Sequence, residues 1–282
     1  MPGSHDSAAM KFHTTLPILA LASVAAFAAL PALAQQNEDA ELAKQTLNPV
    51  AALISVPLKL DYNTNLGPTE SGNQSVLTVQ PVIPVSMSAD WNLISRSIIP
   101  VISQHNLPPG SGTQQGLGDT TQQFYFSPKK PTDGGWIVGA GPQFQLPTGA
   151  SAFTAGKWGA GPTVVLLKQE NGWTYGALVS QMWSISNDSQ KSNYSNTFLQ
   201  PFLAYTFKTF TTPGINTEST YNWKTRQWSV PVNLTLTQIL KVGKQPLSLQ
   251  VGARYWADTP DGVGPKDWGY RLQLTLLFPK GK

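Results

Sequence analysis

Ser103 and His105 stand two residues apart, the spacing at which an extended strand turns both side chains to one face. A serine and a histidine so placed suit acyl transfer, provided the imidazole comes within hydrogen-bond reach of the hydroxyl. Their surroundings argue otherwise. Asn106 and Pro108-Pro109-Gly110 follow at once, and such runs form solvated loops. A loop histidine needs no chemical role, so no catalytic residue is assigned. His5 and His13 fall in the N-terminal extension and leader described below, and the chain has no cysteine. One histidine without thiolates is too few ligands for a zinc site. Neither a metal nor a cofactor is expected.

Gly139-Ala-Gly-Pro142 and Gly159-Ala-Gly-Pro162 look like phosphate-cradling loops in composition alone. A phosphate loop continues into a lysine and a helix. Here proline stands where the helix would begin. The motifs read as bare glycines in adjacent strands, a thin strip of wall that either receives the segment Asn37–Leu47 or opens laterally.

A third set is polar and spread along the chain: Lys59, Asp61, Gln80, Arg96, Gln143, Gln145, Gln181, Gln200, Glu218, Arg254, Arg271 and Gln273. These residues sit in strand-like segments rich in apolar side chains. Where one face of a strand meets lipid, charges and amides on the other must meet water or one another. The expectation is a lumen lined by this set. The competing reading is an interior in which they pair into a closed plug. Lys59, Arg96, Arg254 and Arg271 outnumber Asp61 and Glu218, so a pore so lined favours anions. Arg271 should pair with Asp61 where the last strand meets the first, and Glu218 should offset Arg254 or Arg271. Arg96 is then the least compensated charge. The glutamines suit small hydrogen-bonding solutes.

The elements that would hold these side chains share a two-residue period. In the last segment Tyr270, Leu272, Leu274, Leu276 and Phe278 share one face, and Arg271, Gln273 and Thr275 the other. Ile54, Val56, Leu58 and Leu60 oppose Ser55, Lys59 and Asp61 in the same way. Trp228, Val230, Val232, Leu234 and Leu236 oppose Ser229, Asn233, Thr235 and Thr237. The pattern predicts twelve strands: 51–62, 75–87, 91–104, 119–127, 135–146, 158–168, 173–185, 196–208, 214–223, 227–239, 247–256 and 268–278. The fold class that follows is all-β, an antiparallel transmembrane β-barrel. A strand with a lipid-facing side must have no open edge.

Connections after even-numbered strands are short. Most after odd-numbered strands are longer and rich in Gly, Pro, Ser and Asn. Short periplasmic turns and long outer loops would produce that parity with both chain ends in the periplasm. Loops 105–118, 187–195 and 258–266 are then outside. Trp91, Trp136 and Trp173 fall at inner strand ends; Trp158, Trp183, Trp223, Trp228, Trp256 and Trp268 fall at outer ones, as in the aromatic girdles of membrane barrels. Prolines 57, 81, 84, 100, 142, 162, 201 and 231 lie inside predicted strands. Proline cannot donate to a ladder, so the wall should kink or bulge there.

Composition agrees. Charged residues make up 12 % of the chain, about half the usual share of a soluble domain, and lipid-facing surface is the physical cause. A net charge of +4 without a basic stripe gives no reason to expect nucleic acid. At the N-terminus Lys11, the apolar run Leu16–Leu30 and Ala32-Leu33-Ala34 read as a signal peptide cleaved after Ala34. Met1–Ala9 reads as an extension ahead of it. The expected organisation is 1–34 extension and leader, 35–49 a short periplasmic helical segment, and 50–282 the barrel. Asn37 would cap the helix and Asn48-Pro49 end it.

From Gln35 onward the chain resembles a family of bacterial outer-membrane transporters named for the meta-pathway of phenol degradation. The stretches that carry the likeness include Glu41-Leu-Ala-Lys-Gln-Thr-Leu-Asn-Pro49, Asp90-Trp-Asn-Leu-Ile-Ser-Arg96, Gly156-Lys-Trp-Gly-Ala-Gly-Pro162, Phe198-Leu-Gln-Pro-Phe202 and Asn216-Thr-Glu-Ser-Thr-Tyr-Asn-Trp223. The resemblance implies a barrel in the cell outer membrane of a Gram-negative bacterium and transport of small molecules, aromatic or hydrophobic ones by association. It carries over no binding residue. Expected partners are outer-membrane lipid, small-molecule solutes, and the barrel-assembly machinery through the C-terminal strand. The alternatives are a lipid-modifying hydrolase of the outer membrane using His105, and a structural barrel without an open pore.

Overall fold

The computed structural model describes residues 38–187 and 189–279. The expected extension and leader at 1–34, the start at Gln35, the cap Asn37 and the last three residues lie outside them. Residues 40–282 form one compact unit. Of the other unit, 1–39, only Glu38 and Asp39 are described, as the first residues of a helix over 38–46, α1.

The alternating segments form strands in the order β1 (Ile54–Leu66), β2 (Gly72–Val79), β3 (Val82–Ser86), β4 (Trp91–His105) and β5 (Thr113–Leu117). Then come β6 (Thr120–Pro128), β7 (Trp136–Leu146), β8 (Gly159–Glu170), β9 (Trp173–Ser184) and β10 (Ser195–Tyr205). The last are β11 (Thr211–Thr217), β12 (Ser219–Asn222), β13 (Gln227–Val242), β14 (Gln245–Asp258) and β15 (Asp267–Phe278). All pairings are antiparallel, β5 pairs with β4 alone, and β15 closes on β1 with Asp61 opposite Arg271. Three pairs, β2/β3, β5/β6 and β11/β12, are single staves interrupted once, so the fifteen segments make a closed barrel of twelve staves.

Proline explains much of the irregularity. Pro81, without an N–H, falls between β2 and β3. Pro231 stands opposite the break at Glu218, in the register set by Thr217 with Val232 and Thr220 with Ser229. Pro142 and Pro162 face each other across β7 and β8. Pairing lapses beside them, between Gln123/Gln143 and Phe126/Ala140 on one flank and between Ala160/Trp183 and Thr163/Ser180 on the other. The wall stays closed because each lapse costs a few rungs in ladders that continue above and below.

The outer face is a belt of exposed apolar side chains. Leu60, Leu77, Val101, Val164, Leu166, Val179, Leu234, Leu236, Val251 and Leu272 are all at least 38 % exposed. Water would make such a surface aggregate, whereas a bilayer requires it. Aromatic residues flank the belt. Trp136 meets Tyr175, and Trp173 meets Tyr205, near one rim. Tyr221 packs with Trp223 and Trp228, and Tyr255 with Trp268, near the other. The chain is therefore an outer-membrane barrel.

One tryptophan leaves the girdle. Trp256 turns inward, its Nε1 donating to Asn63 Oδ1 at 3.1 Å, with the Arg254 guanidinium 5.4 Å from its ring centre.

Inside, two halves differ. Ile94, Tyr125, Val165, Leu167 and Leu178 from β4, β6, β8 and β9 pack into an apolar core with Val50. Leu42 and Ala43 of α1, with Ala51 and Leu53, bury against inward-facing Ile239 and Leu277. The segment before β1 is thus lodged on the barrel's inner wall. The glycine strip does take part of it, but through Val50, whose Cγ1 lies 2.9 Å from where a Cβ on Gly139 would sit. The helix packs elsewhere.

Candidate functional site

The other half of the interior is polar. β1, β14, β15 and the break between β11 and β12 bring Lys59, Asp61, Glu218, Arg254 and Arg271 together. Strand alternation sets them inward, and the closing register puts the first and last strands side by side. Arg271 Nε donates to Asp61 Oδ1 at 2.7 Å and its Nη2 to Glu218 Oε2 at 2.7 Å. Arg254 Nη2 donates to the same Glu218 oxygen at 2.7 Å and lies 3.4 Å from Asp61 Oδ2. Its Nε donates to Asn233 Oδ1 at 2.8 Å. Lys59 Nζ reaches Glu218 Oε1 at 3.2 Å. Three cations share two carboxylates, and the arginine donors fork between them, the geometry in which a buried ion network is satisfied.

Beside this network lies a cavity of about 210 Å3, bounded on one side by Gln45–Pro49, Ala51 and Leu53 of the lodged segment. Of the expected lumen residues, Lys59, Gln80, Arg96, Gln200, Glu218, Arg271 and Gln273 line it. Arg96 is held differently from the other arginines. With the amide of Gln80 in the orientation its partners demand, its oxygen accepts from Arg96 Nε and Nη2, both at 2.8 Å. Among the described residues no carboxylate pairs with it.

The remaining expected residues lie elsewhere. Asp61 and Arg254 belong to the ion network. Gln143 is buried in the packed half, accepting from Gln123 Nε2 at 2.9 Å and donating to the Gln181 carbonyl at 3.1 Å. Gln145 donates to Asp119 Oδ2 at 3.2 Å. Asp119 also takes the Gly149 and Ala155 amides and the Thr154 hydroxyl, which folds the 147–158 loop against the barrel mouth. In the same region Tyr194 donates to the Lys157 carbonyl at 3.2 Å, and burial, with Asp119 nearby, pushes its phenol up to about 12.

Gln181 corrects the expectation outright. On β9 the inward residues are Thr174, Leu178, Ser180 and Met182, and Gln181 shares the outer face with Val179 and Trp183. Its amide is satisfied there by Thr197 and Ser195.

Sequence reasoning missed Gln250, Thr237 and Asn216, which also line the cavity. The period-two face that selects Gln273 selects these as well. It missed Gln45 and Asn48 for a different reason, since nothing local says that the leading segment enters the barrel.

Ser103 and His105 do not form a pair. His105 Nδ1 lies 3.0 Å from Thr113 Oγ1, and Ser103 Oγ accepts from Gln115 Nε2 at 3.3 Å. Both lie on β4, whose pairing with β5 continues the strand where a loop was expected from residue 105 onward.

No protein-family model and no curated protein matches the chain. Among solved structures it is similar to an outer-membrane channel from Pseudomonas putida F1, at a TM-score of 0.62 and 16 % identity, over 80 % of this chain and 96 % of that one. It is less similar to outer-membrane phospholipase A from Escherichia coli, at 0.49 and 10 % identity, over 80 % and 97 % of the two chains. The β-domain of the Bordetella autotransporter BrkA stands at 0.46 and 13 %, over 80 % and 100 %. The first likeness shows the fold.

Proposed function

We propose that the chain is an outer-membrane channel that passes small solutes through the polar half of its lumen. The cavity carries this reading: some 210 Å3 of space inside a closed barrel, walled by arginine, lysine, amide and hydroxyl groups that can replace a solute's water. The fold shared with the Pseudomonas channel supports it. The resemblance to transporters named for phenol degradation points to aromatic or hydrophobic solutes. We place the rim of short turns, 171–172 and 243–244, in the periplasm, and the 147–158 and 185–194 loops outside. The partners proposed are outer-membrane lipid around the belt and the assembly machinery at the last strand, where Gly269, Leu272 and Leu274 precede Phe278.

The test is single-channel recording on the purified mature protein in planar bilayers. Discrete current steps in potassium chloride are expected. A correctly folded barrel that leaves the bilayer silent would refute the channel.

A further inference from the structure

Arg96 is a cation that the fold orients without neutralising. A guanidinium carries five N–H donors. Gln80 accepts two of them, one from Nε and one from Nη2. No described residue accepts the other three. Two of these, one on Nη1 and one on Nη2, form the Nη1–Nη2 edge, the edge that grips a carboxylate with two parallel hydrogen bonds. A neutral amide clamp fixes the plane of the group while leaving its charge unspent. The other lumen cations are engaged: Lys59, Arg254 and Arg271 all touch Glu218, and Asp61 lies within ion-pair distance of each.

We propose that the cavity is a binding site for a small organic monocarboxylate, its carboxylate on the free edge of Arg96 and its apolar body against Phe202, Leu53 and Val82. All four residues line the one cavity. The inference rests on the channel reading and names the solute class of that lumen. Charge selects the sign: the interior network has one cation more than its carboxylates, and Arg96 adds another, so a cationic solute is repelled. Glu218, which lines the same cavity, together with a single unspent guanidinium, disfavours a dianion such as phosphate. Volume sets the size. A cavity of about 150 Å3 accommodates benzene, so 210 Å3 leaves room for a body of that bulk and a carboxylate.

Calorimetric titration of the folded mature protein in detergent tests this, with sodium hexanoate against hexanamide, its neutral counterpart. Hexanoate should bind one per chain and reduce the single-channel current, with hexanamide at least roughly tenfold weaker, since a hydrogen bond to a charged group is at stake. Arg96→Gln should weaken hexanoate roughly 10–100-fold. Arg96→Lys, which keeps the charge but not the fork, should fall between. Heat-modifiable gel migration reports folding of each variant. Equal binding of acid and amide to the unmodified protein overturns the proposal without any variant, as does hexanoate binding indifferent to Arg96→Gln. A conducting barrel that does not bind hexanoate leaves a channel and removes the site. A silent barrel that binds hexanoate through Arg96 keeps the site and removes the channel.

Discussion

Arg271 and Asp61 stand opposite each other across the seam where the last strand meets the first, joined by two hydrogen bonds of 2.7 and 3.1 Å and separated by 210 residues of chain. Both side chains are almost wholly shielded, at 3 % and 6 % exposure.

Breaking that pair from one side should be costly. Removing one partner of a buried ion pair leaves an uncompensated charge, at about 3–5 kcal/mol. Asp61→Ala is expected to lower the unfolding free energy of the refolded barrel in urea by that order. Asp61→Asn with Arg271→Gln should lose less than Asp61→Ala alone. A single variant as stable as the parent would show the seam held by its backbone ladder.

The lumen charges predict a mild anion preference. Arg96→Glu reverses a lumen cation that no described carboxylate pairs with, so the reversal potential in a potassium chloride gradient should move toward cations while the barrel still folds. An unchanged potential at normal conductance would remove Arg96 from the ion path.

The lodged segment predicts a change in conductance. Leu42 and Ala43 are each only 3 % exposed in the cluster with Ile239 and Leu277. Deleting residues 35–47 of the mature chain should widen the cavity on the side walled by Gln45–Leu47 and raise single-channel conductance. Equal conductance would mean that the segment lies beside the path.

Glycine substitutions should separate crowding from strain. A Cβ on Gly161 would lie 1.8 Å from the Gln181 carbonyl oxygen, backbone that cannot step aside. Gly161→Ala should abolish or strongly impair folding. Gly110 has φ +81° and open space around it, so Gly110→Ala should cost only about 1–2 kcal/mol of left-handed strain. Gel migration after refolding distinguishes them.

Sidedness is checked by tags. One inserted at Gly112, between β4 and β5, should label on intact cells. One at Asp133, between β6 and β7, should label only after the outer membrane is permeabilised. The opposite pattern would invert the barrel.

What the sequence made legible followed the polar half. On β13, β14 and β15 the inward face is polar except at Ile239 and Leu277, and the outward face apolar, so the phase of alternation could be read from residue types. Trp256 belongs there too, since the period that turns Tyr255 out turns Trp256 in. On β8 and β9 the phase is lost. Val165, Leu167, Leu178 and Met182 point into a packed interior while Val164, Leu166 and Val179 point into lipid. Both faces are apolar, so residue types alone do not turn Gln181 outward. The breaks at Pro81 and Glu218 depend on a proline in the strand or in its neighbour. The lodging of Leu42, Val50 and Leu53 depends on space that exists only once the wall has closed.

The seam also bears on how the barrel forms. Bringing ends about 200 residues apart into contact costs roughly 5 kcal/mol of loop entropy, and contacts that distant form late. Until then β1 and β15 are bare edges, each able to zip onto the wrong neighbour or in the wrong alignment. In the correct alignment Asp61 faces Arg271 and Lys59 faces Gln273. A slip of two residues one way sets Lys59 against Arg271, cation to cation, and a slip the other way leaves Asp61 facing an amide. The charges that tie the finished seam thus act as a proofreading key, rejecting a misaligned closure before the ring can lock.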